Sequence, residues 1–165
     1  WLGRVQRSGS LTERFINFFP VGLDPFELVG TPDLNQESNH QMDVIFNRNT
    51  DKSVLNLTVF GSYITNYIGS VKAPHLSPRL GKSPGVRQFT NFDAVLKSGF
   101  EVEWSVILGA GLTQSIQAAY TFAEEVDDKT PLAEIAPMDI RYSLKGDYLN
   151  NKLSPELSIR HVLAQ

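Results

Sequence analysis

Apolar and polar side chains alternate with a period of two through most of this 165-residue chain, and that alternation constrains its fold more than any other feature. In the segment from Ser53, the side chains of Leu55, Leu57 and Val59 share one face of an extended strand, and Asn56 lies on the other. No stretch of the chain keeps a helical period. The sequence therefore predicts an all-β fold built as an antiparallel up-and-down meander.

Six strands are predicted, separated alternately by tight polar turns and by much longer connections. The predicted strands are 39–49, 53–66, 88–108, 112–124, 137–149 and 152–165. The predicted long loops are 16–36, 69–87 and 125–136. Short turns at one end of the strands and long loops at the other are typical of outer-membrane barrels.

Two folds account for this pattern, a soluble β-sandwich and a transmembrane β-barrel. A sandwich turns the apolar face of each sheet inward against a second sheet, whereas a barrel turns it outward to lipid. Glu101, Glu103 and Arg141 lie on the polar face. Because unpaired charges are costly in a dry core, these side chains favour a wet barrel lumen. The alternation by itself leaves both folds open.

Composition and motifs argue against several classes of function. The formal net charge is −3 and the basic residues are scattered, so we expect no nucleic-acid partner. The chain has no cysteine, which excludes disulfides and thiolate metal sites. His40, His75 and His161 lie far apart without the spacing of metal ligands. We therefore predict no metal site, no cofactor and no catalytic residue.

Five sequence blocks follow one another in the order and spacing of a known family. They are GRVQRSGSLTERF from Gly3, VGTPDLNQESNHQMDV from Val29, FGSYITNYI from Phe60, VRQFTNFDAVLKSGFEVEW from Val86 and PLAEIAPMDIRYSLKGDY from Pro131. Together they resemble the barrel of TonB-dependent outer-membrane receptors over nearly the whole chain. A weaker resemblance is to copper-receptor-like members, and siderophore receptors are the broader expectation.

The resemblance implies a fold, a function and a set of partners. Residues 1–165 are expected to form a C-terminal part of a transmembrane barrel of about 22 strands, with the plug domain outside this chain. The implied function is uptake of a ferric siderophore, a metal ion or cobalamin across the cell outer membrane, without catalysis. The implied partners are TonB through the absent plug region, outer-membrane lipid, and the metal or metal–siderophore cargo. The alternatives are a passive or non-transporting barrel and a soluble β-sandwich binding module.

The long loops would lie at the barrel mouth, where a ligand first contacts the protein. We single out five loop residues as candidate ligand contacts: Phe18, Phe19, Phe26, Arg79 and Arg87. The competing interpretation is that the aromatic rings pack the first loop down onto its neighbours.

The alternation of faces assigns seven aromatic side chains to the apolar face, and most of them lie near predicted strand ends. Rings with an apolar body and a polar edge prefer the boundary between lipid and water. We interpret the following residues as an interface girdle: Tyr63, Tyr67, Trp104, Tyr120, Phe122, Tyr142 and Tyr148.

Overall fold

The computed structural model describes residues 1–20, 24–132, 135–150 and 152–163. Its elements are β1 (Leu2–Arg7), α1 (Leu11–Phe15), β2 (Asn17–Phe19), β3 (Glu27–Val29), β4 (Glu37–Asn49), β5 (Ser53–Lys72), β6 (Val86–Gly109), β7 (Leu112–Glu125), β8 (Asp139–Gly146) and β9 (Glu156–Val162). Three predicted segments extend onto residues outside this description, namely the loops 16–36 and 125–136 and the last strand, 152–165.

Seven strands form one antiparallel meander in the order β1-β4-β5-β6-β7-β8-β9. Consecutive strands of the meander are neighbours throughout, so the predicted up-and-down topology is confirmed. The two short strands β2 and β3 lie off this path and belong to the connection between β1 and β4. Among the described residues, no helix is long and apolar enough to span a bilayer.

The hairpin of β5 and β6 is the longest element of the sheet and is longer than predicted. Its register runs from Ser53 opposite Val106 to Lys72 opposite Arg87. The predicted strand 53–66 ends at Asn66, and asparagine is a common turn residue. In the structure Asn66 has a φ of 51°, but the strand continues to Lys72. Pairing with β6 resumes beyond this residue, with Tyr67 opposite Phe92, and continues to Lys72 opposite Arg87.

The last hairpin is shorter than predicted. β8 ends at Gly146, and beyond it only an isolated bridge joins Tyr148 to Leu153. Pro155 lies in the returning chain just before β9 and has no N–H to donate to the ladder. Leu149 also takes a positive φ, which ends the extended conformation. The predicted strands 137–149 and 152–165 therefore overestimate the regular pairing.

The two faces of the meander have opposite polarity. Paired residues on adjacent strands share a face, so the register assigns each side chain to one side of the sheet. One row crosses five strands with apolar side chains: Leu55, Trp104, Ile116, Tyr142 and Ile159. The adjacent row crosses the same strands with polar ones: Asn56, Glu103, Gln117, Arg141 and Arg160.

No second layer formed by the described residues covers the apolar face. Leu157 and Ile159 on β9 are 59% and 58% exposed, and Val44 on β4 is 53% exposed. A β-sandwich would bury these side chains beneath a facing sheet, but the described strands belong to a single sheet. The sandwich hypothesis is therefore wrong. The buried apolar side chains are mostly those of the loop end of the sheet: Leu28, Leu34, Ile64, Ile68, Ala73, Val86, Ala94, Val95 and Ala123.

We predict that Gly99→Ala destabilises the sheet by about 1–3 kcal/mol, as overpacking does. A Cβ atom at Gly99 would collide with the backbone oxygen of Tyr120 and lie 2.6 Å from the Phe60 ring. The matched control is Gly61→Ala, because a Cβ atom at Gly61 meets nothing within 4 Å. Thermal unfolding of the two variant proteins should separate them. Equal midpoints would contradict the packing derived for Gly99.

Candidate functional site

The connection between β1 and β4 folds back against the loop end of the sheet and begins with the short helix α1. The sequence Ser-x-x-Glu forms a capping box there: Ser10 Oγ accepts the Glu13 N–H at 3.2 Å, and the Glu13 carboxylate accepts the Ser10 N–H at 2.6 Å. Arg7 donates to Glu13 and to Glu37 of β4. These contacts fix where the connection leaves the sheet.

The acidity of Glu13 reflects these contacts. Partial burial of the carboxyl group acts to raise its pKa, but the hydrogen bonds from Arg7 and Ser10 outweigh that effect. The pKa of Glu13 therefore lies below its ordinary value, and the charged form is held at the base of the loop. The Ser-x-x-Glu signal was available in the sequence and would have located α1.

Further along, β3 adds to the edge of β6 that β7 leaves free. β7 ends at Glu125, whereas β6 extends past it to Val86. β3 pairs in parallel with this extension, with Glu27 opposite Val86 and Val29 opposite Gln88. The first loop is therefore part of the sheet instead of a separate flap.

Glu27 joins the first loop to the loop between β5 and β6. Its side chain is fully buried, and the carboxylate accepts the backbone N–H of Arg79 at 3.0 Å and that of Leu80 at 2.6 Å. Hydrogen bonds to an ionised acceptor are about twice as strong as neutral ones and offset the cost of burying the charge. We call Glu27, Arg79 and Leu80 the loop latch. Sequence reasoning missed it because nothing local marks Glu27 as buried.

Four of the five predicted loop contacts pack between these loops. The Arg79 guanidinium lies 4.0 Å from the centre of the Phe18 ring, and the Lys72 ammonium lies 5.7 Å from that of Phe26. Arg87 forms an ion pair with Asp24 at 3.2 Å and also donates to the Ser70 carbonyl. For these rings the structure favours packing of the loop onto its neighbours.

Phe19 differs from Phe18, Phe26 and Arg87 because it is 63% exposed. Arg79 is also exposed, although its guanidinium rests on Phe18. These two side chains are the predicted loop contacts most open to a ligand. They lie on different loops, which the latch holds against each other.

A groove of about 680 Å³ separates the first loop from the connection between β7 and β8. Tyr67, Phe89 and Phe92 line it together with the charged side chains of Asp24 and Glu125. Among the described residues no group of three or more histidine or acidic side chains is arranged to hold a metal ion. The lining of the groove offers both aromatic and charged side chains to a ligand.

Tyr67 does not point outward as predicted. It lines a concavity with Ser62 and Ile64 of the polar face, and its ring centre lies 6.1 Å from that of Phe92. The left-handed conformation of Asn66 interrupts the alternation of faces just before Tyr67. A prediction that assigns alternate residues of a strand to opposite faces cannot detect such an interruption. The predicted outward direction of Tyr67 was wrong for this reason.

The register and bridges put the other six predicted aromatic residues on the apolar face: Tyr63, Trp104, Tyr120, Phe122, Tyr142 and Tyr148. Trp104 donates its indole N–H to Ser53 Oγ at 3.0 Å. Because Trp104 pairs with Leu55, eight residues of β5 separate its row from that of Tyr63. Eight residues span about 27 Å along a strand, or roughly 20 Å of height at a tilt of about 40°.

The polar face carries a network of charged and amide side chains. Gln117 donates to Glu103 at 3.2 Å, and Arg160 makes a two-pronged contact with Asp139 at 2.8 to 3.1 Å. Asn39 Oδ1 is buried without a hydrogen-bond partner among the described residues. Such a surface suits contact with water or with a polar protein segment, and it is unsuited to lipid.

We predict that Glu27→Gln weakens the loop latch by about 1–3 kcal/mol, because the amide has one acceptor oxygen and turns its NH2 group toward a backbone N–H. Amide hydrogen exchange at Arg79 and Leu80 should accelerate roughly tenfold or more in the variant protein. Glu156→Gln removes the same charge from an exposed position on β9 and should leave both rates unchanged. Unchanged rates in Glu27→Gln would show that the latch contributes nothing.

Comparison with solved structures shows a shared fold. The copper transporter OprC has a TM-score of 0.78 and 22% sequence identity, over 98% of this chain and 23% of that one. The siderophore receptor PirA from Pseudomonas aeruginosa has a TM-score of 0.70 and 19% identity, over 97% of this chain and 30% of that one. The ferric enterobactin receptor PfeA from the same organism has a TM-score of 0.65 and 17% identity, over 96% and 24%.

This chain therefore spans less than a third of the length of these receptors. No curated protein sequence matches it. A family model described as "TonB dependent receptor-like, beta-barrel" matches residues 2–163, which is nearly the whole chain. The predicted resemblance is thereby confirmed, and the chain belongs to the β-barrel family of TonB-dependent receptors.

Proposed function

We propose that this chain forms seven consecutive strands in the barrel wall of an outer-membrane receptor that takes up a scarce ligand with energy supplied through TonB. The observation that carries the proposal is the opposite polarity of the two faces in a sheet of this family, seen where the row from Leu55 to Ile159 is apolar and the row from Asn56 to Arg160 is polar. The apolar face meets lipid and the polar face meets the interior of the barrel. This extends the six predicted strands by β1.

A bilayer explains why the sheet exposes so much apolar surface. In water, a contiguous apolar face of this size would drive aggregation. In lipid, every backbone N–H and C=O must be paired within the protein, which requires a closed barrel. Within the part of the chain that the structure describes, β1 and β9 each pair on one edge only. Further strands of the receptor would pair with both free edges, and the plug and its TonB-binding segment would lie outside this chain.

The aromatic side chains of the apolar face support a specific position in the membrane. We propose that Trp104, Tyr142 and Tyr148, toward the turn end, and Tyr63 and Phe122, toward the loop end, form the two aromatic girdles. Tyr120 lies between them, because its row contains Val59, midway between Leu55 and Tyr63 on β5. The separation along β5 agrees with an apolar band of about 25 Å. The long loops would then lie outside the cell.

The latched loops are the part of this chain best placed for the first contact with cargo. Phe19 and Arg79 offer an exposed ring and a guanidinium, which suit an aromatic or anionic metal chelate. The names of the structural neighbours, a copper transporter and siderophore receptors, support a metal ion or a ferric siderophore as cargo. Cobalamin remains a third candidate from the family resemblance. The alternative is a passive or non-transporting barrel, and uptake experiments distinguish it from a receptor energised through TonB.

We predict that an arginine destabilises the barrel at residue 118 but not at residue 119. Ala118 lies opposite Val102 and Ile140 on the apolar face, whereas Ala119 lies opposite Glu101 on the polar face. Placing arginine in the lipid midplane costs about 2–4 kcal/mol. Unfolding of the full-length receptor in lipid vesicles should therefore show a lower stability for Ala118→Arg than for Ala119→Arg. The reverse order would mean that the proposed faces are inverted.

We also predict that cells that lack the full-length receptor lose accumulation of one cargo among copper, ferric siderophores and cobalamin, and that removal of TonB has the same effect. Phe19→Ala combined with Arg79→Gln should raise the half-saturating cargo concentration about tenfold. Phe15→Ala is the matched control, because Phe15 is also exposed but lies on α1. Accumulation that persists without TonB would establish a passive barrel.

A further inference from the structure

The apolar face contains a hollow at Gly61, about 660 Å³ in volume. Leu2, Met42, Tyr63 and Leu96 line it from the four adjacent strands β1, β4, β5 and β6. Because glycine has no side chain and a Cβ atom there would meet nothing within 4 Å, the hollow is open to the surroundings of the sheet. These four side chains are between 40% and 77% exposed, so the hollow offers apolar surface to an acyl chain.

Basic side chains border this hollow on the side of the long loops. Arg4 of β1 pairs with His40 of β4, which pairs with Tyr63 of β5. This row lies on the same face as Gly61, two residues closer to the long loops. Arg4 Nε donates to Ser38 Oγ at 3.1 Å, and within the described residues Arg4 forms no ion pair with a carboxylate. Arg4 and His40 also line the hollow, and their backbone row lies about 7 Å along the strands from the row of Gly61.

We propose that the hollow binds one membrane lipid, with an acyl chain over Gly61 and the lipid phosphate on Arg4. A guanidinium presents a planar fork of donors that matches a phosphate group. The hollow is continuous with the face that the proposed function places in lipid, so its occupant enters from the bilayer. Lipid binding at this hollow is separate from the uptake of cargo. It rests on the part of the proposed function that turns the apolar face toward lipid.

Native mass spectrometry of the full-length receptor in detergent tests the proposal, with dioleoyl phosphatidylglycerol as the probe. One molecule should remain bound, and dioleoylglycerol, which lacks the phosphate, should bind about tenfold more weakly. Glycerol phosphate, which lacks the acyl chains, should not compete. Competition by glycerol phosphate at the same concentration as the lipid would reduce the site to a surface anion contact and overturn the proposal.

Variants of the two halves of the site separate the contributions of chain and phosphate. Gly61→Leu fills the hollow and Arg4→Gln removes the guanidinium charge, and each should weaken phosphatidylglycerol binding about tenfold. Gly61→Ala is a milder replacement in case the leucine variant fails to fold, and it should weaken binding in the same direction.

The matched controls lie on the same apolar face, away from the hollow. Ala118→Leu adds the same kind of apolar bulk on β7, and Arg48→Gln removes the same charge near the opposite end of β4. Both should bind the lipid as the parent receptor does. Parent-like binding by Arg4→Gln or by every Gly61 variant overturns the proposal. So does a mass that corresponds to a second protein copy in place of a lipid.

Discussion

The ladder between β5 and β6 is the interaction on which the rest of the structure depends. It runs from Ser53–Val106 to Lys72–Arg87, so it aligns the polar rows on one side and the apolar rows on the other. A shift of one residue would turn every side chain of a strand to the opposite face. The length of the ladder also carries both strands past the neighbouring β7. That excess length creates the edge to which β3 attaches.

The loops are built on this extension and not independently of it. β3 continues the sheet along β6, and the buried Glu27 carboxylate then holds the backbone of the β5–β6 connection. Arg79 and Arg87 complete the contact through Phe18 and Asp24. The surface proposed to meet cargo is thus held by the same strands that would cross the membrane. A rigid mouth loses less conformational entropy when a ligand binds.

The inverted polarity of the sheet connects the two proposals. A surface that exposes apolar side chains on one side and pairs glutamates, arginines and amides on the other is stable only between two solvents of different polarity. Glu103 with Gln117 and Asp139 with Arg160 show how the inner face satisfies its own charges. Arg4 differs from these pairs because it lies at the border of the apolar face and contacts Ser38, with no carboxylate partner among the described residues. The lipid proposal follows from that difference.

The sequence by itself determined the all-β class, the order of the main strands, the family, and the face of six of the seven girdle aromatic residues. It could do so because a period of two is a local property that each strand expresses in its own residues. Only the tertiary structure decided the length of β5 beyond Asn66, the inward direction of Tyr67, and the burial of Glu27. These features depend on partners distant in sequence, since a ladder across strands overrides a local turn signal and a buried carboxylate is recognised only by the amides that reach it.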